Sequence, residues 1–92
     1  MKRTVLKGIV VSSLLAVSVA ALAEPTCTDA PESDWMSKEA MQKQIADMGY
    51  KVKEFKTTDT SCYEIYGWDD QERRVEIYFN PVDGSIVEQE FD

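Results

Sequence analysis

The stretch CYEIYGWDDQERRVEIYF, residues 62–79, decides the fold. Tyr63, Ile65 and Gly67 alternate with Glu64, Tyr66 and Trp68; beyond a charged tip, Val75, Ile77 and Phe79 alternate with Arg74, Glu76 and Tyr78. A period of two is the mark of β-strands, whose successive side chains project to opposite faces. Two such runs around a short polar tip make an antiparallel hairpin. For the sets Tyr63/Ile65/Gly67 and Val75/Ile77/Phe79 to share one face, Ile65 must lie opposite Ile77 and Gly67 opposite Val75, because a one-residue slip would turn a whole set over. That register predicts an odd-length loop around Gln71 and sets Trp68 beside Arg74 and Tyr66 beside Glu76. The second face then carries Tyr66, Trp68 and Tyr78 among Glu64, Arg74 and Glu76.

The flanking sequence supplies what covers the first face. Ser37 is a good helix N-cap, Glu39 puts negative charge in the first turn, and Met41, Ile45 and Met48 recur at helical spacing before Gly49 ends the run. Tyr50 and Val52 then alternate with Lys51 and Lys53 in a first strand. Phe55 breaks the alternation, which leaves either a bulge or a side chain on the opposite face. TTDTS connects to the hairpin, NPVDGS turns the chain again, and IVEQEF returns as a short strand. The expected fold is α+β, one helix packed on one face of a three- to four-stranded antiparallel sheet joined as a meander.

The first residues address the protein. Lys2, Arg3 and Lys7 precede the apolar run from Gly8 to Ala20, and Ala21-Leu22-Ala23 has the small-x-small pattern of a signal-peptidase site. The run is shorter than the roughly 20 apolar residues of a membrane span. We therefore expect a signal peptide over 1–23, an extended arm over 24–36, a domain over 37–92, and a periplasmic protein with no membrane attachment after cleavage. The remaining 69 residues form one small domain, a size at which a covalent staple is common. Cys27 and Cys62 are the two cysteines, and an even count in a small exported domain predicts a disulfide between them.

Charge and composition exclude several functions. The net charge of −7 becomes −10 without Lys2, Arg3 and Lys7, because no carboxylate precedes Glu24. So acidic a chain repels phosphate backbones and anionic lipid, which argues against nucleic-acid and membrane-surface partners. There is no His, no unpaired Cys is expected, and no Gly-rich phosphate loop or nucleophile–base spacing occurs, so no catalytic residue is assigned. No cofactor is expected. Asp69, Asp70 and Glu72 lack the alternating ligands and central glycine of a calcium loop, and the tip is read as solvated, with no metal.

Trp35 before a helix beginning SKEAM, then GYKVKEFK, CYEIYG and RRVEIYFNPVDGSIVEQE, resembles the short exported PepSY-domain proteins of proteobacteria over essentially the whole chain after residue 23. The resemblance implies a helix on an antiparallel sheet and a role in binding or restraining peptidases and other exported proteins. Two features depart from it. The tip DDQER lacks the glycine of many relatives, and Tyr66, Trp68 and Tyr78 stand where smaller or polar residues are expected.

Two functions follow. In the first, the chain is a non-catalytic protein-binding or peptidase-restraining module that holds its partner either on Tyr66, Trp68, Tyr78, Arg74 and Glu76, a mixture of aromatics and charges typical of protein-binding surfaces, or along an exposed strand edge. In the second it is a structural or assembly domain with no dedicated ligand. Its aromatic face is then covered by the N-terminal arm, with Trp68 stacked on Arg74, or closed in a homodimer.

Overall fold

The computed structural model describes Glu24–Asp92; the expected signal peptide lies outside the described residues. Among the described residues one α-helix, α1 (Lys38–Asp47), precedes four strands: β1 (Lys51–Thr57), β2 (Tyr63–Trp68), β3 (Arg74–Phe79) and β4 (Ile86–Phe91). The strands pair antiparallel in the order β1-β2-β3-β4, the expected meander. The β2–β3 register is the one the apolar alternation demands: Ile65 opposite Ile77, Gly67 opposite Val75, Tyr66 opposite Glu76 and Trp68 opposite Arg74.

Helix α1 starts where its cap dictates. Ser37 Oγ accepts the Ala40 N–H at 3.0 Å, and the chain leaves the helix through Gly49, whose φ of 98° is a left-handed conformation that glycine adopts without steric cost. Met41 and Ile45 are fully buried, whereas Met48, the third member of the expected stripe, is 43 % exposed at the helix end. The core under the helix is Met41, Ile45, Tyr63, Ile65, Val75, Ile77 and Phe79, with Trp35, Met36, Tyr50 and Phe55 packed at its margin.

A bulge between Val52 and Glu54 settles the position of Phe55. The extra residue resets the alternation, so Phe55 pairs with Ile65 and joins the core face. Gly67 is obligatory here, because a Cβ on it would sit 2.0 Å from the Lys51 carbonyl oxygen of the adjacent strand.

The N-terminal stretch divides its work. Its start is pinned by the Cys27–Cys62 disulfide and by the Cys27 N–H bonded to Thr60 O at 3.2 Å. Its end, read from the sequence as part of an extended arm, makes a short 3-10 turn at Glu32–Asp34 and delivers Trp35 to the core. There Trp35 meets Tyr63 edge-on at 5.6 Å between ring centroids and donates Nε1–H to Ala30 O at 3.1 Å. The Tyr63 hydroxyl donates to Met36 O at 2.7 Å.

Candidate functional site

The face turned away from α1 is a grid of three cross-strand rows. Lys56, Glu64, Tyr78 and Glu88 form the row nearest the disulfide; Glu54, Tyr66, Glu76 and Glu90 form the middle row; Lys51, Trp68 and Arg74 form the row nearest the hairpin tip. The register brings all five candidate partner-binding residues, Tyr66, Trp68, Arg74, Glu76 and Tyr78, onto this face. Their exposure is graded along it. Tyr78 is 5 % exposed and Glu64 1 %, Tyr66, Trp68 and Glu76 are half-buried, and Arg74 is exposed.

The buried end is a network of acids and phenols. The Tyr78 hydroxyl donates to Glu76 Oε2 at 3.0 Å. Glu64 lies in the same network, and its Oε2 is buried with no hydrogen-bond partner among the described residues. Burial, and then the hydrogen-bonded Glu76 carboxyl beside it, push the Glu64 carboxyl up to about 7. Glu76 moves the other way, held low by the hydrogen bond from Glu64. The two carboxyls are thus pushed apart, Glu64 toward the neutral form and Glu76 toward the charged one. The hydrogen bond to Glu76 raises the Tyr66 phenol, and burial followed by the bond to Glu76 raises that of Tyr78, so both rings stay neutral donors. The arm reaches this end: Glu24 lines a depression of about 180 Å³ with Lys56 and Glu64, and Pro25 O lies 3.4 Å from Cys62 Sγ.

The tip end is open. Trp68 is the shared wall of two depressions, one of about 150 Å³ with Lys53, Tyr66, Arg74 and Asp92, and one of about 330 Å³ with Lys51 and Glu72. Arg74 gives its guanidinium to Asp92, Nη2 and Nε lying 3.0 and 3.2 Å from Oδ2. Lys56 sits 5.2 Å from the Tyr66 ring centroid.

Asp69 is a residue whose role the sequence did not disclose. Read as part of a solvated tip, it is 6 % exposed and organises the loop. Its Oδ1 accepts the N–H groups of Gln71 and Arg73, each at 2.9 Å, and its Oδ2 binds Arg73 Nε at 2.7 Å. Burial pushes its carboxyl up, but the bonds from Arg73 and Gln71 outweigh that and hold it below the usual range. The legible signal was an Asp at a loop entry, a residue type that bonds the backbone two residues on. Among the described residues, no group of three or more His, Cys, Asp and Glu side chains is arranged to hold a metal ion.

Comparison with curated proteins and with solved structures finds no match. A protein-family model does match: PepSY_2, described as peptidase propeptide and YPEB domain, aligns over residues 8–90 of the 92. With the helix-on-sheet fold and nearly the whole chain inside that match, the protein belongs to the PepSY_2 family.

Proposed function

We propose that the chain is a small, non-catalytic periplasmic module that binds, and in the manner of a propeptide restrains, an exported polypeptide, a peptidase being the partner class its family suggests. The observation that carries this reading is Trp68: a half-buried aromatic ring standing between two depressions on the sheet face that the helix leaves open. Trp68, Tyr66 and Arg74 make the contact, while Tyr78 and Glu76 hold the face rigid from the buried end. Export through a cleaved signal peptide agrees with the basic, apolar and small-residue order of residues 1–23 and with a disulfide, which forms and persists in oxidising compartments.

Crosslinking and pull-down from periplasmic extract, with wild type beside Trp68→Ala, tests the reading. Capture of a polypeptide that weakens by about 2 kcal/mol in the variant, corrected for folded fraction, supports it. Equal capture by both proteins overturns it.

The burial of Glu64 and Tyr78 favours a second reading, in which this face is internal and serves stability or self-assembly. Native mass spectrometry separates the two: a tight homodimer supports the assembly domain, a monomer the binding module.

A further inference from the structure

Among the described residues nothing pairs with the outer edges of β1 and β4, and the two edges differ. β1 carries Lys51, Lys53 and Lys56 and the bulge at Val52–Glu54, devices that discourage pairing with another strand. β4, IVEQEF, carries no Lys, Arg or Pro, and its irregularity is confined to its start, leaving Glu88 to Phe91 in regular register with β3. Asp92 donates its N–H to Arg74 O at 3.1 Å. Backbone groups alternate in direction along an antiparallel strand, so those of Glu88 and Glu90 also turn toward β3, and the N–H and C=O of Gln89 and Phe91 turn outward. No strand lies beyond them among the described residues.

The side chains along this edge are sorted by chemistry. Glu88 and Glu90, in register with Tyr78 and Glu76, lie on the outer face. Gln89 and Phe91, in register with Ile77 and Val75, lie on the helix face, where Phe91 is 51 % exposed and Ile86 39 %. Among the described residues no Lys or Arg forms an ion pair with Glu88 or Glu90. The Glu90 carboxyl is raised by its hydrogen bond with Glu88, then by desolvation and by the charges of Glu76, Glu88 and Asp92.

We propose that the β4 edge takes up an extended basic segment of a partner polypeptide as a further strand. Alternate Lys or Arg side chains lie beside Glu88 and Glu90, and the intervening apolar ones lie beside Phe91 and Ile86. Charge complementarity selects this occupant over a second copy of the chain. Antiparallel pairing of two β4 strands about Gln89 would set Glu88 of one copy against Glu90 of the other, and each chain carries a net charge of −7. The edge is independent of the Trp68 surface, and its test is chosen to fail separately.

The probe is a blocked Lys-Val-Lys-Val-Lys-Val-Lys peptide titrated into the ¹⁵N-labelled, disulfide-bonded protein and followed by NMR. The amide signals of Gln89 and Phe91 shift and gain protection from exchange. Methylating the valine amides, which removes the ladder donors and keeps the charge, weakens binding by about tenfold or more. Exchanging Lys for Glu in the peptide abolishes binding to the native protein and restores it to the Glu88→Lys/Glu90→Lys variant, while Trp68→Ala leaves the affinity for the basic peptide unchanged. Unshifted Gln89 and Phe91 amides, equal binding by the methylated peptide, or shifts centred on β1 or Trp68 would each overturn the proposal; the methylation comparison needs no protein variant, so it stands even where the charge-reversed chain folds poorly.

Discussion

The two faces of the sheet are built from the same strands and follow different rules. On the helix face Ile65, Ile77 and Phe79 are each fully buried against Met41 and Ile45, and removing water from apolar surface dominates. On the other face the positions in between carry Glu64, Tyr66, Trp68, Arg74, Glu76 and Tyr78, and burial there falls off from the disulfide to the hairpin tip. The lesson is that the register belongs to the helix face. Once Ile65 must oppose Ile77, the outer residues have no choice of neighbour, and only the cover over them can vary. Near Cys62 the arm is pinned beside the buried Glu64 and Tyr78; near Trp68 the face is lined by open depressions.

The largest way to perturb this difference is to cut the staple. Replacing Cys27 and Cys62 together by Ser should lower the unfolding free energy by about 4 kcal/mol, given the 35-residue separation the bridge closes. It should also open the Glu64–Tyr78 end as the arm detaches. Urea unfolding checks the first effect and hydrogen exchange at the Tyr78 amide the second. A loss under about 1 kcal/mol would mean that the arm adds little to the closed end.

A second prediction concerns the carboxyl pair. An acid whose folded value is raised contributes stability that is fully present below its unfolded value and is lost as pH rises through the folded one. The Glu64 contribution is therefore intact below its ordinary 4.5 and disappears as pH climbs through about 7, when a second negative charge must form beside Glu76. Lys56, the nearby cation in the same row, opposes that loss only in part. Glu64→Gln, which stays neutral, should be more stable than wild type at pH 8 and similar to it at pH 5, measured by urea midpoints. Identical pH profiles for the two proteins would show that Glu64 ionises freely.

The helix face was legible because alternation and 3.6-residue spacing encode burial directly; Val75, Ile77, Phe79, Met41 and Ile45 all fall where those periods put them. The disulfide was legible from the cysteine count and the signal peptide expected from the sequence, and Cys27 and Cys62 are bonded. Trp35 and Met36 were not, because a Pro-, Asp- and Glu-rich stretch carries no period. The usable clue was local: Met36 stands just before the Ser37 cap and Met41 at the fourth helical position, the spacing of a hydrophobic staple. Phe55 was ambiguous because a bulge is a tertiary event, set here by the approach of Lys51 to Gly67. The cover over the outer face was illegible for a similar reason: where an aperiodic arm lies depends on its anchor and not on its own pattern.

The smallest prediction returns to the tip. Glu72 has a φ of 63°, a left-handed conformation that costs a residue with a Cβ about 1 kcal/mol. Glu72→Gly should raise the unfolding free energy by about 0.5 kcal/mol in thermal or urea unfolding, because the greater freedom glycine gives the unfolded chain offsets part of the strain relieved. No gain would place the strain elsewhere in the loop that Asp69 organises.

The most direct test of the contrast between the faces is the unfolding free energy of Trp68→Ala, with Phe79→Ala as the internal ruler. Phe79 is fully buried, and its truncation should cost about 4 kcal/mol. If the tip end of the outer face is a surface kept open for a partner, Trp68→Ala costs about 1 kcal/mol or less under the same conditions. A loss of about 3 kcal/mol or more would make the ring part of a second small core, and the binding-face account would be wrong.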